Sequence, residues 1–159
     1  MMNLANRITL ARIFLVPVIV FFLLVRLNLP ELTLGGFSIT YNQLIAVVIF
    51  ILAASTDGLD GYIARSRKMV TNLGKLIDPL ADKLLIASVL ISLVEMQKLD
   101  AWIAILIISR EFAVTGLRQI ALLEGTVMAA SVWGKWKTGV QIAMIIVLLL
   151  NNFPFAFVG

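Results

Sequence analysis

Apolar residues along this chain fall in five long runs separated by short charged or turn-forming stretches, a pattern that predicts helices rather than strands. The first run is Ile8–Leu27, with Ile13–Val25 free of charged or polar residues. The others are Tyr41–Ile63, Pro79–Met96, Ala101–Leu117 and Trp136–Phe155. With their ends included, the runs reach about 17–23 residues, long enough to cross a hydrocarbon layer. Asn28–Thr40, with Pro30 and the pair Gly35-Gly36, reads as a turn. The expected fold class is therefore all-α, a polytopic integral membrane helical bundle with five transmembrane helices.

Composition narrows this further. Of 159 residues, 61% are hydrophobic and 14% charged, against roughly 45–50% and 25% in soluble chains. A small soluble domain could not bury that much apolar side chain. With no Cys and no His, disulfides, thiolate nucleophiles, imidazole catalysis and most transition-metal sites are excluded. Any chemistry must rest on Asp, Glu, Lys, Arg, Tyr, backbone groups or a hard, oxygen-ligated metal.

The formal charge of +4 fits anionic lipid headgroups or a phosphate site better than nucleic acid, and no nucleic-acid partner is expected. If the N-terminus is cytoplasmic, all but two of the thirteen Lys and Arg fall on the inner flank or inner half of the helices. Arg26 and Lys98 alone lie outside. That asymmetry predicts an N-in orientation. Pro17, and the lack of a small-residue cleavage site after Val25, argue against a cleaved signal peptide. Trp102, Trp133 and Trp136 read as interface anchors.

Four of the nine acidic residues cluster at the inner ends of the second and third runs: Asp57, Asp60, Asp78 and Asp82. Spacings of i, i+3 and i, i+4 put each pair on one helical face. Clustered carboxylates at a membrane edge repel one another, and a divalent cation relieves that repulsion. Oxygen donors without imidazole or thiolate suit Mg²⁺, Mn²⁺ or Ca²⁺. The plainer reading is unrelated interfacial charge, and Asp78-Pro79 looks like an N-cap with Pro at the first helical position. Gly58 and Gly61 cost a helix about 1 kcal/mol each relative to Ala. Close helix packing or close approach of a ligand would justify them.

Taken together, the stretch is Asp57-x2-Asp60-Gly61-x2-Ala64-Arg65-x8-Gly74-x3-Asp78-x3-Asp82. It resembles the signature of the CDP-alcohol phosphotransferase family of integral membrane enzymes, with every defining position present. The resemblance implies transfer of a substituted phosphate from a CDP-linked donor to an alcohol, releasing CMP, with two divalent metal ions, Mg²⁺ or Mn²⁺. It implies Asp57, Asp60, Asp78 and Asp82 as metal ligands and Asp82 also as general base. Gly61, Ala64, Arg65 and Gly74 would line the cytidine diphosphate site.

Ser109-Arg110-Glu111-Phe112, Gly116-Leu117-Arg118 and Gly134-Lys135-Trp136-Lys137-Thr138 with Gln141 resemble the branch of that family that makes phosphatidylglycerophosphate. This implies CDP-diacylglycerol as donor and sn-glycerol 3-phosphate as acceptor. Arg110, Arg118, Lys135 and Lys137 could converge on a dianionic acceptor phosphate, which Arg and Lys suit. Ordinary positive-inside anchoring is the alternative for each. Glu111 is given no catalytic role and is expected to pair with Arg110 or another base.

The segment Asn3–Arg12 resembles the family's N-terminal interfacial helix, with Ala5 where that branch usually has Pro. The resemblance implies one domain over residues 1–159 in a bacterial cytoplasmic membrane, in contact with membrane lipids and with its active site on the cytoplasmic side. Family members are often homodimers and typically have six transmembrane helices, so a C-terminal sixth helix is expected to be lacking here. Two other readings stand beside this one. The same chemistry could use another acceptor, giving phosphatidylserine, cardiolipin or phosphatidylinositol-phosphate synthesis. In a different class, the four Asp could serve a divalent-cation transporter.

Overall fold

The apolar runs do form helices. The computed structural model describes the backbone of residues 4–25, 27, 30–34, 37–66, 72–125 and 132–151. Within these it describes all side chains except those of 4–6, 34, 37, 57–66, 72–76, 78, 122 and 132–135. The elements are α1 (Leu4–Leu24), β1 (Glu31–Leu34), β2 (Phe37–Thr40), α2 (Tyr41–Ser66), α3 (Asn72–Glu95), α4 (Ala101–Leu123) and α5 (Val132–Leu149).

α1 is continuous from Leu4 to Leu24 through Pro17. The leading segment and the first apolar run thus form one helix within the described residues. At its far end Asn42 Nδ2 donates to the carbonyls of Val25 at 3.1 Å and Leu27 at 3.4 Å, and the Val25 carbonyl also accepts from Leu27 N at 2.9 Å, so the chain leaving the helix terminus is pinned to α2. At the end of α4, Gly125 takes φ +77°, the left-handed conformation that closes many helices.

Two expectations are corrected. Asn28–Thr40 is more than a turn: β1 and β2 pair antiparallel, with Glu31 opposite Thr40 and Leu34 opposite Phe37. Alternating apolar and hydroxyl residues in Leu32-Thr33-Leu34 and Phe37-Ser38-Ile39-Thr40 suit a strand pair. The Asp78-Pro79 pair does not start α3 either. That helix begins at Asn72 and carries Pro79 in its interior, so Asp78 is not an N-cap. Pro79 forfeits one backbone hydrogen bond, and the apolar run beyond it, packed in the core, offsets that loss.

The described core lies towards the hairpin end of the bundle. It joins Ile19 and Leu23 of α1, Val47, Phe50 and Ala53 of α2, Leu85, Val89, Leu90 and Leu93 of α3, Ala104 of α4, and Ile145 and Leu149 of α5. α1 lies against both α2 and α3, and α3 against α4. Many large apolar side chains face outward instead, Phe14 at 72% exposure and Leu123 at 88% among them. Among the described residues one helical stretch, Arg7–Leu24, is long and apolar enough to cross a membrane by length and composition. Tyr41–Thr56 and Trp136–Leu149 are shorter apolar stretches.

Lys98, in the turn after α3, donates to the carbonyl of Leu149 at 3.3 Å. Burial lowers its pKa from 10.5 to about 8. Between those values the unfolded chain holds a proton that the folded chain has released, so stability rises with pH across that window. Below about pH 8 both states carry the charge and this contribution is flat. In detergent, the melting temperature should climb from pH 8 to 10 more steeply for the native protein than for Lys98→Met. Parallel curves would contradict this.

Candidate functional site

Each of the sequence's candidate carboxylates lies on a helix. Asp57 and Asp60 belong to α2, and Asp78 and Asp82 to α3, so the i, i+3 and i, i+4 spacings do place each pair along one face. Gly61, Ala64 and Arg65 follow on α2, and Gly74 precedes on α3. The side chains of Asp57, Asp60, Asp78, Ala64, Arg65 and Lys135 lie outside the described ones. Of the four Asp, Asp82 can be followed to its atoms. No group of three acidic side chains that could hold a metal occurs among the described residues.

Asp82 is half-buried. Its Oδ2 accepts a hydrogen bond from Lys83 Nζ at 3.1 Å. The same ammonium reaches Glu111 Oε2 on α4 at 2.8 Å. The other oxygen of Glu111, Oε1, accepts from Lys137 Nζ on α5. One carboxylate, 8% exposed, therefore binds cations from two neighbouring helices. A buried carboxylate without partners would be costly, but both oxygens are occupied and each bond is charge-assisted.

A cavity of about 430 Å³ adjoins this network, walled by Ile107, Arg110, Glu111, Trp136, Lys137 and Gln141 among others. Arg110 and Lys137 thus reach a common space. Gln141 Nε2 is buried in the same lining without a partner among the described residues. Arg118 is exposed and sits just over two turns beyond Arg110 on α4. It does not line this cavity. A larger cavity of about 530 Å³ lies at the hairpin end, bordered by Glu31, Asn42, Glu95 and Lys98, and contains none of the expected site residues.

Sequence reasoning missed two participants. The sequence marks Lys83 only as an inner-flank charge, yet it links Asp82 to Glu111. It marks Arg12 the same way, but that residue is 1% exposed. Its Nε donates to the carbonyl of Ala53 at 3.1 Å and its guanidinium to Thr56 Oγ1 at 3.4 Å. That ties α1 to α2 one residue before Asp57. Burying an arginine in an apolar helix interface is tolerated only with such partners. Removing charged hydrogen bonds of this kind costs about 1.5–3 kcal/mol. Arg12→Met should lower the melting temperature by roughly 5 °C, and an unchanged melting curve would contradict that placement.

The sequence profile of CDP-alcohol phosphatidyltransferases matches residues 2–159. A Bacillus subtilis protein named CDP-diacylglycerol–glycerol-3-phosphate 3-phosphatidyltransferase is 49% identical over 159 residues, covering 100% of this chain and 82% of that one. A Rickettsia bellii protein of the same name is 37% identical over 94% of this chain and 76% of its own length. A third of that name, from Mycoplasma pneumoniae, is 40% identical over 98% of this chain and 70% of its own.

Proposed function

We propose that this chain, which belongs to the CDP-alcohol phosphatidyltransferase family, transfers the phosphatidyl group of CDP-diacylglycerol to sn-glycerol 3-phosphate, giving phosphatidylglycerophosphate and CMP. The similarity of the whole of this chain to the Bacillus subtilis protein of that name supports donor and acceptor together. One observation in the fold supports the acceptor: Arg110 and Lys137, from separate helices, border one cavity. Two convergent cations suit a phosphate-bearing alcohol better than a neutral one.

The chain forms one domain over residues 1–159, with its helices crossing a bacterial cytoplasmic membrane. The outward apolar side chains of α1, α4 and α5 support this, since a patch of that extent is stable against lipid rather than water. The distribution of Lys and Arg supports an N-terminus and active site on the cytoplasmic side.

The donor set fits a hard divalent cation, Mg²⁺ or Mn²⁺. Asp82 Oδ1 is without a partner among the described residues, and no nitrogen or sulfur donor competes. Asp57, Asp60, Asp78 and Asp82 would hold two such ions. Bound there, they would supply positive charge against the diphosphate. Gly61, Ala64, Arg65 and Gly74 form the binding surface for the cytidine diphosphate.

Arg110 and Lys137 hold the phosphate of the acceptor and so orient its free primary hydroxyl, with Arg118 and Lys135 adding positive charge on the same side of the bundle. Asp82 takes the proton of that hydroxyl, whose oxygen attacks the phosphorus bearing the diacylglycerol. The bond to the bridging oxygen breaks and CMP departs. Displacement of this kind is catalysed mainly by positioning and charge. The test is CMP release by purified protein in detergent, given CDP-diacylglycerol, Mg²⁺ or Mn²⁺, and each candidate alcohol in turn. Release that depends on glycerol 3-phosphate supports the reading. Release with serine or an inositol phosphate alone overturns the acceptor assignment.

A further inference from the structure

Glu111 lies in the wall of the acceptor cavity and reaches through Lys83 to the carboxylate half of the site. It is buried on α4, and both of its carboxylate oxygens are engaged. Oε2 binds Lys83 of α3 at 2.8 Å and Oε1 binds Lys137 of α5. Lys83 in turn holds Asp82 Oδ2 at 3.1 Å. Lys137 and Arg110 stand at the edge of the same cavity as Glu111 itself.

Here Asp82, Lys83, Glu111 and Lys137 alternate in one chain of ion pairs, and Arg110 adds a further positive charge beside the same cavity. Lysine carries its charge on a flexible four-carbon stem with three rotatable donors. Unless held, the Lys137 ammonium could swing away to water or to lipid headgroups, as such side chains do near a membrane surface. One of its donors is fixed by Glu111, which leaves the others for an anionic ligand. The same carboxylate fixes Lys83 against the residue proposed to take the proton.

We propose that Glu111 is a positioning residue for the acceptor. It holds Lys137 where the phosphate of glycerol 3-phosphate binds and, through Lys83, sets Asp82 in register with the acceptor hydroxyl. This inference rests on the proposed function and names a residue that acts through others.

A double-mutant cycle tests it, using the full chain in detergent with CDP-diacylglycerol and Mg²⁺. Glu111→Gln keeps the shape and removes the charge. It should raise KM for glycerol 3-phosphate at least tenfold while KM for CDP-diacylglycerol stays within twofold. Lys137→Gln should do the same. The double variant Glu111→Gln/Lys137→Gln should be no worse than Lys137→Gln alone, because Glu111 acts on the acceptor largely through that lysine. The double variant also removes a stranded charge, so it reports even where Glu111→Gln folds poorly.

A second readout is independent of turnover. Glycerol 3-phosphate should raise the melting temperature of the native protein, and this rise should vanish in Glu111→Gln while the rise with CDP-diacylglycerol persists. Losses of equal size for both substrates, multiplicative effects in the double variant, or native acceptor binding in Glu111→Gln would each overturn the inference. Native protein that shows no activity with glycerol 3-phosphate would overturn the proposed function itself, and this inference with it.

Discussion

Asp82→Asn should fold, reach the membrane and lose nearly all turnover. A positioned general base contributes roughly 10²–10⁴ in rate, and the amide cannot take a proton from the acceptor hydroxyl. The change is isosteric and leaves an oxygen able to accept from Lys83, so the contact at 3.1 Å can survive. CMP release should therefore fall by at least about a hundredfold, with a melting temperature close to that of the native protein. Turnover near the native rate would remove Asp82 from the role of base. A collapse of the melting curve would recast it as a structural anchor for Lys83.

The second large effect concerns Arg110. Its side chain shares a cavity with Lys137, and a charge-assisted bond to phosphate is worth about 1.5–3 kcal/mol. Arg110→Ala should raise KM for glycerol 3-phosphate by roughly 10- to 100-fold and leave KM for CDP-diacylglycerol nearly unchanged. Arg118→Ala should shift in the same direction but less, since Arg118 does not line that cavity. Steady-state kinetics with each substrate varied in turn would check both. Equal effects on the two substrates would point to a general structural role for Arg110.

The helices were legible because membrane-length apolar runs leave little choice of backbone: each buried N–H and C=O must be paired within its own segment. The helix ends were less legible. Asp78-Pro79 carries a strong N-terminal signal in isolation, but α3 starts six residues earlier, at Asn72, because the packing of its apolar face outweighs one missing hydrogen bond. The hairpin was obscured by Pro30 and the glycine pair, which dominate a reading for turns. Its two strands are only four residues each.

The site divides in the same way. The four Asp could be picked out because a cluster of short carboxylates in apolar helices demands an explanation. Arg110 and Lys137 could be anticipated as cations on the same side, and both border the cavity. Lys83 and Glu111 could not be paired from sequence. They lie on different helices, and only the packing of α3 against α4 brings the ammonium and the carboxylate together. Arg12 was hidden for the opposite reason. An arginine near the end of an apolar run looks like a membrane anchor until its partners on α2 are seen.

The identity of the lipid product distinguishes glycerol 3-phosphate from every other acceptor. Purified protein would receive CDP-diacylglycerol, Mg²⁺ and an equimolar mixture of glycerol 3-phosphate, serine and inositol phosphate, and the lipids would be identified by mass spectrometry alongside CMP. Phosphatidylglycerophosphate and CMP should form in equal amounts, with no other new lipid above background. Formation of phosphatidylserine or a phosphatidylinositol phosphate instead, or CMP without any matching lipid, would contradict the proposed function.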